Sequence, residues 1–255
     1  MTDEPIRSRA NARLKAARKL QAKKHRLASG LFLAEGEDIV EEGLAAGLLP
    51  VETFVADERA PDEILLARLA RGGPLHRVAD RLLAEIGTLG HPARVVSVFR
   101  IDGLPEREPQ ADLGVYLDRV IDPGNVGTLV RAAGALGPAF VALSAGCSDP
   151  LSGKGVRASM GAVFRVPIES GADLPDVGRR IALVPGGTPL WEQDLTGPVT
   201  FAVGAERRGL PDDVIGRCDE VCGIPQAVGA ESLNAAQAAT LALYEAIRQR
   251  AVSGT

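Results

Sequence analysis

Five short apolar runs in the second half of the chain alternate with stretches long enough for helices. They are LGVYLDRVI (Leu113–Ile121), AFVALS (Ala139–Ser144), RIALVPG (Arg180–Gly186), VTFAVG (Val199–Gly204) and EVCGIP (Glu220–Pro225). Nearly continuous apolarity, without a polar residue at every second position, marks strands covered on both faces, so the pattern predicts a parallel sheet between layers of helix. Three glycine-punctuated segments follow or overlap these runs: IDPGNVGTLVRAAGALG (Ile121–Gly137), VGAERRGL (Val203–Leu210) and IPQAVGAESLNAA (Ile224–Ala236). Polar loops at the ends of several strands of one α/β unit form a composite ligand site, the arrangement of an enzyme. The last helix is expected over Ser232–Arg250, which contains neither Gly nor Pro. Leu233, Ala236, Thr240, Leu243 and Ile247 share one of its faces, suited to packing along the domain or against a partner.

The first half also alternates: GLFLAEG (Gly30–Gly36), VETFVAD (Val51–Asp57), PLHRVAD (Pro74–Asp80) and ARVVSVFR (Ala93–Arg100) read as strands. Helices are expected at Ile39–Ala46, Ile64–Ala70 and Arg81–Ile86, giving a layered α/β/α unit. DGLPEREPQAD (Asp102–Asp112) has two prolines and no apolar period, and reads as a linker. The expected organisation is therefore one domain over 1–101, a linker over 102–112 and a second domain over 113–255.

The net charge of −4 argues against a nucleic-acid partner, but its distribution does not. Between Arg7 and Arg26 lie nine Lys or Arg and no acid, among them Arg18, Lys19, Lys23, Lys24 and Arg26. A helix this basic is either a solvated surface or a face for phosphate. No apolar run approaches the roughly 20 residues that span a bilayer, and the N-terminus lacks the apolar core of a secretion signal. Three cysteines, Cys147, Cys218 and Cys222, are too few for a disulfide framework and fit a reducing cytoplasm.

No GxGxxG follows a strand and no GxxxxGK[ST] occurs, which removes the usual dinucleotide and P-loop readings. All three histidines, His25, His76 and His91, precede the glycine loops, which disfavours triad and metal-assisted hydrolysis and leaves no metal expected. The loops instead offer Asn125, Arg131, Glu206, Ser232 and Asn234. If a helix begins near Asn125, Arg131 lies roughly 9 Å along its axis, reaching back to the same mouth. Each residue also has a structural reading. Asn125 or Ser232 could be plain helix caps, with Asn234 two residues inside the second helix. Glu206 could be a solvated carboxylate, Arg131 the partner of Asp118 or Asp122, and Arg157 either structural or an RNA contact.

Taken together, Asp122–Arg131, Gly204–Gly209 and Ile224–Asn234, in this order, resemble the three signature motifs of the SpoU (TrmH-like) RNA ribose 2′-O-methyltransferases of the SPOUT superfamily. GKGVRASMGAVFRVPI (Gly153–Ile168) resembles that family's segment between its first two motifs. The basic stretch followed by GLFLAEGEDIVEEGL resembles the L30e-like RNA-binding domain that precedes many such catalytic domains. The resemblance implies a parallel sheet with a deep trefoil knot, a rare exception to threading rules. It also implies S-adenosylmethionine as cofactor, a homodimer with composite sites, and methyl transfer to a ribose 2′-hydroxyl, in rRNA rather than tRNA. Carried over by position, backbone at Gly204, Ile224 and Leu233 would hold the cofactor. Arg131 would be the catalytic arginine, with Asn125, Glu206, Ser232 and Asn234 shaping the pocket. The other readings are a tRNA target, or a noncatalytic RNA-binding or ribosome-assembly protein on the same fold.

Overall fold

The structure, a computed structural model, describes residues 4–88, 93–227, 229 and 232–254. Two compact units divide the chain: Met1–Leu104 with Pro150–Arg165, and Pro105–Asp149 with Val166–Thr255.

The first unit runs α1 (Ala12–Lys19), α2 (Lys23–Ser29), β1 (Leu31–Glu35), α3 (Glu37–Ala45), β2 (Glu52–Ala56), α4 (Glu63–Leu69), β3 (Leu75–Val78), α5 (Asp80–Leu83) and β4 (Val95–Arg100). Its sheet has the order β1-β4-β2-β3, with β4 antiparallel to both neighbours and β2 parallel to β3. Alternation along β1 sorts its side chains between two faces. Leu31 and Leu33 pack against a cluster that includes Leu14, Phe54 and Ile86. Phe32 lies among other rings, its centroid 6.1 Å from Phe99 and 5.7 Å from Phe164. Phe164 also meets Phe99 edge-on at 4.9 Å, and such ring pairs add about 0.5–1.5 kcal/mol beyond burial. Phe164 is how the inserted segment Pro150–Arg165 joins this unit's core.

The basic stretch is two helices rather than one. Asn11 caps α1 by accepting from the N–H groups of Arg13 and Leu14. The chain then turns at Leu20–Ala22, where Arg26 Nη1 donates to the carbonyls of Leu20 (2.6 Å) and Gln21 (2.8 Å). No Gly or Pro marks that break. It depends on an arginine several residues downstream.

The second unit runs β5 (Leu113–Asp118), α6 (Pro123–Leu136) and β6 (Phe140–Leu143). After α7 (Gly153–Ala158), which belongs to the first unit, it continues with β7 (Ile168–Ser170), β8 (Arg179–Pro189), β9 (Val199–Gly204), α8 (Asp212–Ile215), β10 (Glu220–Gly223) and α9 (Ala235–Ser253). The sheet order is β10-β8-β9-β5-β6-β7 and every pairing is parallel. Strand β5 is buried at every position, as a strand covered on both faces must be. Gly114 leaves room for the Phe140 ring, since a Cβ there would stand 2.2 Å from it.

Because β5 lies between β6 and β9, the connections leaving it and its neighbour β9 diverge at their C-terminal ends. That topological switch point is where open α/β sheets bind ligands. The first of the five apolar runs, Leu113–Ile121, ends earlier as strand β5 than its sequence suggests, because Arg119 turns into the left-handed region at φ 53°. The three-residue edge strand β7 has no apolar run of its own and is not anticipated. Between Val221 and Cys222 the β10–β8 register jumps, so that Val221 faces Ala182 while Cys222 faces Thr188. The intervening part of β8 bows away from the ladder.

Candidate active site

Helix α6 is capped by Asp122, whose carboxylate accepts from Gly124 N–H at 2.7 Å, with Pro123 at the first helical position. Asn125 is therefore inside the first turn, and its side chain is available for other partners. Helix α9 is capped by Asn234, which accepts from the N–H groups of Ala236 (2.9 Å) and Gln237 (3.3 Å). The cap is thus Asn234 and not Ser232, and the helix starts three residues later than its apolar pattern indicates.

These two asparagines meet. Asn234 Nδ2 donates to Asn125 Oδ1 at 2.9 Å, and Asn125 Nδ2 donates to Glu206 Oε1 at 2.5 Å. One side chain from each glycine-punctuated segment thus enters a single relay, over sequence separations of 109 and 81. The chain of donors is directional: the carboxylate accepts at one end while Asn234 serves its own helix at the other.

Beside the relay is a cavity of about 360 Å³, lined by Val203–Leu210, by the bowed Leu183–Pro185, and by Ile224, Ser232 and Leu233. Gly204 is held by close backbone packing, because a Cβ there would lie 2.0 Å from Gly209 C. Cavities of this size with apolar walls and a backbone-rich rim take nucleoside-sized ligands. A second, wider cavity of about 960 Å³ shares Ala205–Gly209 and continues past Asn125, Ile121 and Arg119. Of the third glycine segment, residues 228, 230 and 231 lie outside the described residues, and with them Glu231 of the third motif.

Arg119 is constrained from several sides. Its N–H donates to Ser144 Oγ at 2.9 Å, and its Nε donates to Asp118 Oδ2 at 2.7 Å. A left-handed backbone costs a side-chain-bearing residue roughly 1–2 kcal/mol, so these contacts must outweigh it. Asp118 is only 6% exposed, and its hydrogen bond raises the Arg119 guanidinium above its ordinary range. Burial foremost, with Asp118 adding to it, pushes the Tyr116 phenol up to about 12, so it remains a protonated donor. Sequence reasoning does not single out Arg119 or Leu183–Pro185. The signal for the second was the proline and glycine pair ending an apolar run.

The remaining expected residues distribute unevenly. Arg131 is exposed on α6 and lines neither cavity, so it does not reach back to the mouth formed by this chain alone. Lys19, Lys23 and Lys24 are exposed. Arg18 donates to the Arg9 carbonyl and stands 3.5 Å from Glu85. Arg26 is 3% exposed and spent on carbonyls, a fold-stabilising role rather than a place on the surface. Arg157 donates to Thr88 Oγ1 at 2.7 Å and stands 3.7 Å from the buried Glu35.

Comparison with known proteins gives this geometry its family. Residues 112–244 match the SpoU rRNA Methylase family, and residues 11–97 match the MRM3-like substrate binding domain. An uncharacterized tRNA/rRNA methyltransferase of Synechocystis is 34% identical, the match covering 98% of this chain and 96% of the relative. The 23S rRNA (uridine(2479)-2′-O)-methyltransferase of Streptomyces viridochromogenes is also 34% identical, over 90% of this chain and 86% of the relative. The crystal structure of the SpoU methyltransferase AviRb from Streptomyces viridochromogenes, in complex with AdoMet, superposes with a TM-score of 0.83 at 30% identity, covering 94% of this chain and 98% of that one. With a switch-point sheet, three converging loops and matches across nearly its full length, the chain belongs to the SpoU rRNA methylase family.

Proposed function

We infer that this chain is an S-adenosylmethionine-dependent methyltransferase acting on a ribose 2′-hydroxyl of rRNA. The observation that carries the reading is the Asn234–Asn125–Glu206 relay, which draws the three loops together beside the cofactor-sized cavity. The relatives named for 23S rRNA and the substrate-binding-domain match favour rRNA over tRNA.

The cavity fits S-adenosylmethionine by chemistry. Apolar Val203, Ile224 and Leu233 suit a purine, and the backbone at Gly204 and the Leu233 region supplies groups for its polar edges. When bound, the cofactor supplies an electrophilic methyl group on a sulfonium. The residues then have to place a hydroxyl in line with that methyl, so positioning dominates catalysis. Glu206 and Asn125 fix the loop between the two cavities, Asn234 fixes the start of α9, and Ser232 lines the smaller cavity. Arg131 stabilises negative charge developing on the 2′ oxygen. A permanently charged guanidinium suits that role better than proton abstraction.

The exposure of Arg131 supports a homodimer in which one copy completes the other's site. Exposed Leu241 and Tyr244 on α9 support the same reading, since α9 packs on α6. The strand order β10-β8-β9-β5 and the return of α9 to α6 support the trefoil knot. The first unit serves as the RNA-binding domain through Lys19, Lys23 and Lys24, with Arg18 and Arg157 at its margin. The expected location is the cytoplasm, consistent with free cysteines at 147, 218 and 222. Among the described residues, no helix is long and apolar enough to cross a membrane.

The test is transfer of labelled methyl from S-adenosylmethionine to total RNA, with rRNA and tRNA separated afterwards. Label should enter one rRNA species at an alkali-resistant ribose. Arg131→Ala should lower turnover about a hundredfold, the scale of losing one charge-stabilising donor, while cofactor binding survives. Unchanged turnover in that variant removes Arg131 from catalysis, and label confined to tRNA overturns the target.

A further inference from the structure

The wider cavity has a wall whose chemistry the methyl-transfer reading does not use. Arg207 and Arg208 are exposed there and make no ion pair with any described residue. They differ in this from Arg7, Arg13, Arg59, Arg77 and Arg94, each within 3.0 Å of a carboxylate, and unlike the other unpaired, exposed arginines Arg71, Arg81 and Arg131 they line this cavity. Arg119 stands on the same cavity in a backbone conformation that glycine would adopt without strain. Gly146 makes room for it, since a Cβ there would meet Arg119 Cγ at 2.6 Å. Asp118 holds its Nε from beneath, so the guanidinium is oriented while its side chain remains 53% exposed. Next to these cations, Ile121 is 73% exposed, an apolar surface of the kind on which an unstacked base or ribose can lie.

We propose that Arg119, Arg207 and Arg208 form a phosphodiester subsite that seats the RNA backbone flanking the target nucleotide, with Ile121 against the adjoining sugar or base. Planar guanidiniums match phosphate oxygens two at a time, and phosphate contacts set register without reading sequence. The subsite shares Ala205–Gly209 with the cofactor cavity, so a phosphate seated there fixes how far the neighbouring ribose stands from the methyl donor. This proposal rests on the methyltransferase reading for its substrate. Its cationic wall is an observation independent of that reading.

The test compares the parent chain with R207A/R208A and with R119K, using full-length 23S rRNA transcribed without modifications. Filter binding between 50 and 200 mM KCl gives the salt slope, steady-state methyl transfer gives KM and kcat, and calorimetry gives cofactor affinity. Removing two phosphate contacts should flatten the slope of log K against log[salt] by about 1.4, at about 0.7 per single-strand contact. Both arginines also line the smaller cavity, so the double variant is read by proportion: the RNA KM should rise about tenfold, well beyond any change in cofactor affinity. R119K keeps the charge over Asp118 but loses the fork, and should raise KM several-fold without a change in thermal midpoint. A parental salt slope in the double variant overturns the proposal. So does a loss of cofactor affinity at an unchanged RNA slope, which would assign the arginines to the smaller cavity alone. If the parent chain binds the transcript but transfers no methyl, the methyltransferase reading fails instead, and the salt slope alone decides the subsite.

Discussion

Cutting the relay at Asn125 should release two of the three loops at once, and the size of the effect can be worked from its two bonds. Asn125 Nδ2 donates to the Glu206 carboxylate at 2.5 Å, and Asn125 Oδ1 accepts from Asn234 at 2.9 Å. A hydrogen bond to a charged group contributes about 1.5–3 kcal/mol net, and one between neutral groups about 0.5–1.5. Both bonds are half-buried, which puts each near the lower end of its range. Asn125→Ala should therefore cost about 2–3 kcal/mol, and Glu206→Ala about 1.5 kcal/mol. The double variant should cost less than the sum by about 1–1.5 kcal/mol, because the shared bond can be lost only once.

The assay is urea unfolding of the four proteins by far-UV circular dichroism, with Trp191, the chain's single tryptophan, assigning the transition to the second unit. Methyl transfer should follow the same non-additivity, since all three variants free the same loop. A coupling energy below about 0.3 kcal/mol, the scatter of independent sites, would refute the claim that the relay ties the loops together.

Three further outcomes are expected. Gly204→Ala puts a Cβ 2.0 Å from Gly209 C and 2.2 Å from Leu210 N. Overpacking of about 1–3 kcal/mol should weaken S-adenosylmethionine binding roughly ten- to hundredfold by calorimetry, and parental affinity would contradict the tight-turn account. Burial lowers the pKa of His76, outweighing Glu52, 3.0 Å away, which raises it. The unfolded chain then takes up more protons in acid, so this group's stability is intact above its ordinary value of about 6.5 and is lost as pH falls below it. His76→Gln should shallow the fall of the thermal midpoint between about pH 7 and pH 5, and an unchanged pH slope would contradict this. Finally, Arg26→Ala should cost about 2–4 kcal/mol by stripping buried carbonyls of a charged donor, whereas K23A/K24A should keep the thermal midpoint and weaken RNA binding at low salt. The reverse pattern would return Arg26 to the RNA face.

Most of the architecture is legible along the chain because burial on both faces writes an unbroken apolar run. β5, β6 and β9 all follow from that rule. What is not legible depends on partners distant in sequence. β7 is a three-residue edge strand held by β6, with nothing apolar to announce it. The split between α1 and α2 depends on Arg26 reaching back to carbonyls that carry no sequence signal. The caps show the same limit at the active site: Asp122 and Asn234, not Asn125 and Ser232, end the helices, because cap identity follows backbone dihedrals rather than residue type alone. The motifs locate the right loops, but which side chain caps a helix and which crosses to another loop is settled only when the strands bring them together. Arg119 is hidden for a related reason. Nothing in its type suggests a left-handed turn, a conformation imposed here by Ser144 and Asp118.

The overall charge of −4 is a poor guide to the partner because paired charges contribute little to the field a phosphate meets. Arg7, Arg13, Arg77, Arg94 and Arg179 each face a carboxylate at 3.0 Å or less, so their charge is largely cancelled within about a Debye length. What remains uncompensated is small and placed unevenly. In the first unit it includes Arg71, Arg81 and the group Lys15, Lys19, Lys23 and Lys24, all exposed and without an ion pair among the described residues, the lysines beside Leu27 at 68% exposure. In the second it includes Arg131 on α6, and Arg207 and Arg208 at the cavity that runs past Asn125 and Glu206. A polyanion gains from counter-ion release only where it touches cations that have no other partner. In an acidic chain the places open to a phosphate strand are therefore those its own carboxylates leave uncompensated. Arg207 and Arg208 stand on the wall shared by the two cavities, so in the proposed subsite the same arginines both anchor the strand and gauge the distance its ribose must keep.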